Sequence, residues 1–249
     1  MEKLPKRLKS APLVEVIWQV KFENSESIAL GDLLPGILYS ELRKEHKDLK
    51  LWRLPTADIP PQVAQNTRHL RDMVKFRLEG SGIPFLFQVG DNTLTLNCRK
   101  PYVGWKKFRE KILQLIELLE KSGLVQNPAQ HSLRYIDLLQ INPAPDLSSL
   151  QIKVHVGQLD TSFRPLQMRI ELPEPDCLHV IQVATPANAQ LPEGTISGSV
   201  VDLETMPGSP PTSWSNLIDQ LDLIHERSLS LFFNHILTRE TLAKLEPEF

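Results

Sequence analysis

A chain of 249 residues with 41% hydrophobic and 23% charged content can bury a substantial core, and its formal net charge of −2 gives no global attraction to nucleic acid or anionic membrane. The two cysteines, Cys98 and Cys177, have no close spacing, which argues for a reducing compartment and against a disulfide framework or zinc ribbon. No apolar run approaches a membrane span, and the cations of MEKLPKRLKSAP precede no uninterrupted apolar segment, so the chain reads as soluble and cytoplasmic.

In PLVEVIWQVKF, Val14, Val16, Trp18, Val20 and Phe22 alternate with Glu15, Ile17, Gln19 and Lys21, which predicts a half-buried first strand. A helix over about 28 to 46 follows, with Leu30, Leu33, Leu34, Ile37, Leu38 and Leu42 spaced for one apolar face and Pro35 and Gly36 disturbing its first turns. LKLWRL, MVKFRLE, PFLFQVG and NTLTLNC then read as four short strands. A second helix over 103 to 122 carries Trp105, Phe108, Ile112, Leu115, Ile116 and Leu119 on one face and stops at Gly123.

The order then recurs. HSLRYIDLLQI is a strand, PDLSSL a short helix or turn, and SLQIKVHVG, PLQMRIEL, CLHVIQVAT and SGSVVDLE are four strands before a helix from 214 to about 237. TPANAQLPEGT and MPGSPPTS read as proline-marked loops. The expected fold is α+β: two similar βαββββα halves, residues 1–125 and 126–249, with antiparallel sheets carrying long helices on one face, as two units or one continuous domain.

Three stretches, APLVEVIWQVKF, SLRYIDLLQI and LDLIHERSLSLFFNHILT, are similar to those of a sporadically distributed family of bacterial proteins of comparable length. That family has no assigned activity, so the resemblance implies no catalytic residue. Its patchy occurrence implies an accessory or defence-associated role.

Few residues point to chemistry. His225 lies on the core side of the last helix, but a zinc-protease helix needs a second histidine four positions on, where Leu229 stands, and His235 falls around the helix. A packing role is expected, with a ligand or acid-base role as the sharper reading, and Glu226 and Arg227 read as solvated charges. His155 and His179 fall in neighbouring predicted strands and are candidates to converge, but with no cysteine or carboxylate at matching spacing a metal site is not favoured. Both cysteines read as ordinary strand thiols. Arg134 and Glu15 each interrupt an otherwise apolar strand, which suggests an ion pair between the repeats or a ligand-binding arginine. Arg99, Lys100, Lys106 and Lys107 gather at the start of the second helix, where negative charge is preferred. They are either a solvated face or an anion-binding site.

The expected function is a binding or interaction module, acting on a protein partner, a small ligand or nucleic acid, without metal or organic cofactor. The alternative is a hydrolytic or nucleotide-processing enzyme using His225, Arg134 and the basic segment 99–111, although the sequence offers it no nucleophile, metal site or carboxylate pair.

Overall fold

The computed structural model describes residues 4–22, 30–60, 63, 64, 67, 70, 72–125, 127–191 and 194–249. Two compact units interleave along the chain: a first made of Val16–Leu133 and Ser209–Leu221, and a second made of Met1–Glu15, Arg134–Gly208 and Asp222–Phe249.

The chain opens with β1 (Arg7–Leu8) and β2 (Leu13–Phe22), whose Val16, Trp18, Val20 and Phe22 are buried in alternation. α1 (Leu30–Glu45) runs unbroken through Pro35. An interior proline costs roughly 3 kcal/mol, whereas each of the buried leucines 30, 34, 38 and 42 contributes about 1.5–3 kcal/mol, so the apolar face outweighs the lost hydrogen bond. Position 28, expected to open this helix, lies outside the described residues.

β3 (Lys50–Arg53), β4 (Val74–Glu79), β5 (Phe85–Gly90) and β6 (Thr93–Arg99), the four short strands expected here, pair antiparallel in succession. The first unit's strand order is β2-β6-β5-β4-β3. α2 (Trp105–Ser122) buries Phe108, Ile112, Leu115, Ile116 and Leu119 and ends at Gly123, whose φ of 65° suits a residue without a side chain.

β7 (Pro128–Leu139) passes into the second unit at Arg134. There follow β8 (His155–Val156), β9 (Leu159–Asp160), β10 (Leu166–Pro173), β11 (Cys177–Leu191) and β12 (Gly194–Pro207). The strand order is β10-β11-β12-β7, while β8 and β9 form a separate hairpin. Gly198 allows the close approach of β7: a Cβ there would lie 2.4 Å from the Leu139 carbonyl oxygen. α3 (Trp214–Leu231) continues into a π-helical turn, Phe232–Ile236. Leu231, Phe232 and Ile236 pack in one cluster with Leu139, Ile181, Val183, Val201 and Leu203. α4 (Arg239–Lys244) and β13 (Pro247–Glu248), paired with β1, close the chain.

Two expectations are corrected. SLQIKVHVG is not a sheet strand: Leu150 bridges Leu237, and the Gln151 backbone N–H donates to the Ile236 carbonyl while its side-chain amide donates to the carbonyls of Asn234 and Leu237. The π turn leaves carbonyls at the end of α3 that compete for this segment, and only His155 and Val156 remain extended enough to pair, with β9. TPANAQLPEGT is not a loop, since β11 and β12 pair as far as Leu191 and Gly194. Pro186 is accommodated where the register shifts between Ala184 and Ala187, so the ladder loses little from its missing N–H. PDLSSL is a turn, and the helix that α1 provides in the first half has no counterpart there.

Candidate functional site

α3 presents a mixed face to its own surroundings. Leu217, Leu221 and Ile224 are fully buried, and the residues one turn apart from them include His225 and Ser228. His225 Nδ1 lies 2.7 Å from the Tyr135 hydroxyl, and burial holds its imidazole down to about 4, so the neutral ring is the resident form. His235 sits exposed in the π turn, so the histidine pair that a metal helix requires is not assembled. His131, on β7, is held the same way: Nε2 lies 3.1 Å from Gln220 Oε1, which can only accept, and burial pushes the ring down to about 4. Glu226 and Arg227 are exposed, but Arg227 is not merely solvated, since Nη2 donates to Asp176 Oδ2 at 2.5 Å.

Arg134 is gripped by Asp202. Its Nε donates to Asp202 Oδ1 at 2.7 Å and its Nη2 to Asp202 Oδ2, a two-pronged contact, and the charge of Glu15 also favours its cation. The sequence signal was present: Asp202 interrupts the apolar run VVDLE much as Arg134 interrupts its own strand. Three residues beyond Arg134, on the opposite face of β7, Asp137 is only 4% exposed. Burial, helped by the charge of Asp202, pushes its carboxyl up to about 8, so it carries a proton at neutral pH. Asp137 and Asp202 are thus an electrostatically linked carboxyl pair that the sequence alone did not reveal.

At the start of α2 the four cations Arg99, Lys100, Lys106 and Lys107 are exposed. Gly104 caps the helix without a side-chain bond, and no acidic residue stands in its first turn. Among the described residues Lys100, Lys106 and Lys107 have no ion-pair partner, whereas Lys111, one turn on, is engaged by Glu45 at 2.8 Å. Tyr102 packs edge-on against Phe108 with its hydroxyl buried, and burial pushes that phenol up. An open cleft of about 430 Å³ adjoins, lined by Phe85, Val103, Lys107, Glu110, Lys111 and Gln114. Glu110 and the already paired Lys111 make that cleft electrically mixed, so any preference for anions resides in the outward lysines.

The hairpin between β10 and β11 holds a third group. Cys177 and His179, two residues apart on β11 and so on one face, bring Sγ and Nε2 to 3.4 Å. Glu174, in the turn, places its carboxylate 3.9 Å from each of these atoms. The convergence of His155 and His179 does not occur, because His155 lies exposed in the β8–β9 hairpin, and the carboxylate and cysteine judged missing are Glu174 and Cys177. The Cys-x-His spacing within a strand was the legible signal; the glutamate depends on the turn. Nor is Cys177 a nucleophile in waiting, since burial and then the charges of Glu174 and Asp176 push its thiol up to about 12.

No protein-family model matches the chain, and no curated protein matches it.

Proposed function

We propose that the protein is a binding module whose partner is a polyanion, engaged at the basic start of α2. The observation that supports this reading is the trio Lys100, Lys106 and Lys107, exposed and unpaired among the described residues around an uncapped helix start. Other lysines are held by carboxylates, as Lys75 is by Asp91 and Lys121 by Glu117. The enzymatic alternative is less well supported, because His225 is half-buried and bonded to Tyr135, and Arg134 is occupied by Asp202. In each half the first strand lies beside the last, β2 by β6 and β7 by β12, which favours reading the chain as a duplication. An accessory, defence-associated role in a bacterial cytoplasm is the setting we assign to such a module.

Titrating the protein with a labelled single-stranded nucleic acid at low and moderate salt tests the proposal. The expected outcome is binding that weakens with salt, because counterions are released on association, and that is lost when Lys106 and Lys107 are both replaced by Glu. Binding that is salt-independent or unchanged in that variant would refute it, and binding to an acidic protein alone would move the partner to that class.

A further inference from the structure

We infer that Glu174, Cys177 and His179 form a site for a single divalent transition-metal ion, zinc by preference, with one coordination position left open. One ligand atom from each residue lies within 4.8 Å of the others. Around a tetrahedral zinc with ordinary Zn–S, Zn–N and Zn–O lengths, ligand atoms stand about 3.3–3.6 Å apart. The Sγ–Nε2 separation of 3.4 Å already meets this, while the Glu174 carboxylate, with one oxygen 3.9 Å from Sγ and the other 3.9 Å from Nε2, must move inward to bring a single oxygen into range of both. Glu174 can make that movement, since its side chain is 41% exposed against 1% for His179, and the same exposure gives an ion its way in.

The surroundings hold the imidazole through its other ring nitrogen. Ser228 Oγ lies 2.7 Å from both the Ile224 carbonyl and Thr205 Oγ1, and His179 Nδ1 lies 2.8 Å from Thr205 Oγ1. Ser228 Oγ donates toward Thr205 Oγ1, and the same oxygen can accept from Nδ1–H. In that tautomer Nε2 presents its lone pair toward Cys177 Sγ. Imidazole ligands in metal sites are oriented by a bond of this kind from the other ring nitrogen.

The charge balance distinguishes this use from thiol catalysis. Glu174 and Asp176 place negative charge beside the site, which favours a cation, and Arg227, paired with Asp176, offsets part of it. On binding, the S–H bond breaks, its electron pair becomes the metal–sulfur bond, and the proton passes to solvent. A thiolate, an imidazole and a carboxylate suit zinc better than magnesium or calcium, which take oxygen ligands. Three protein ligands leave a fourth position for water or a further donor.

The test uses the full chain, stripped with a chelator and kept reduced, then titrated with Zn²⁺ against a chromophoric competitor and separately with Co²⁺. One ion per chain, release of one proton, and a tetrahedral cobalt spectrum with a thiolate charge-transfer band are expected. Cys177→Ser should abolish the band, Glu174→Gln should weaken binding at least about tenfold, and Thr205→Val, which touches no ligand position, about 10–100-fold. Should Cys177→Ser fail to fold, the surface variant Glu174→Gln and the volume-matched Thr205→Val decide the matter. Absence of the cobalt band in the native chain, its persistence in Cys177→Ser, or unchanged affinity in Glu174→Gln overturns the assignment.

Discussion

α2 and α3 are both 18-residue helices, yet they are seated by different chemistry. α2 buries five apolar side chains and nothing polar. α3 buries apolar residues and also inserts Ser228 beside Thr205 and His225 beside Tyr135. An apolar face gains from area and tolerates small shifts along its axis, whereas hydrogen bonds of 2.7 Å are lost on a shift of an ångström. α3 is therefore fixed in register by polar contacts, and α2 by volume.

The largest effect separating the two should come from Phe108→Ala, which opens a cavity under α2 and should cost about 3–5 kcal/mol by denaturant unfolding. That loss should be the same at every pH, because no titratable group is involved. A loss under about 1 kcal/mol would place the seating of α2 elsewhere.

Next comes Asp137→Asn. The folded protein keeps the Asp137 proton up to a pH of about 8, while the unfolded chain releases it from 3.8 upward. This group's contribution to stability is full below 3.8 and is lost as pH rises through about 8. The neutral amide has no such loss, so the variant should gain on the native protein by a few kcal/mol, as an order of magnitude, above a pH of about 8. Parallel stability curves for the two proteins would show that Asp137 is ionised in the fold.

His225→Ala should cost about 1–3 kcal/mol by removing the partner of the Tyr135 hydroxyl. Here pH matters in the opposite sense. The unfolded chain takes up a proton below 6.5 and the folded His225 only near 4, so its contribution is present above 6.5 and fades toward about 4. The variant should lose this part of the acid sensitivity and keep the part due to His131, which is depressed by the same burial. Equal acid sensitivity in variant and native protein would assign the titration to the other depressed histidines, His131 and His179 among them.

The smallest effect belongs to the double variant Lys106→Glu, Lys107→Glu. Two carboxylates in the first turn of α2 should favour the helix dipole, raising stability by a few tenths of a kcal/mol per group at exposed sites, readable as a slight rise in Tm. A fall would mean that these lysines help hold the helix start.

Much of the architecture was legible because it follows from local periodicity. The leucines of α1, the alternation in β2, β4, β5 and β6, and Gly123 at the end of α2 each fix an element through residues close in the chain. Segments whose hydrogen bonds are claimed from far away were misjudged: 149–154 looks like a strand until the π turn at 232–236 takes its backbone, and TPANAQ looks like a loop until β12 pairs with it.

By itself, then, the sequence determined the α+β class, the order of its main strands and helices, and the polar residues that stand out against apolar runs. Only the tertiary structure decided which of those residues meet. Arg134 takes Asp202, Cys177 and His179 gain Glu174, and Asp137 is driven to keep its proton. Periodicity specifies which face a side chain occupies, but a charge or ligand pair depends on which strand lies alongside and in what register. That is set by long-range packing, and a one-residue slip would move every partner to the other face.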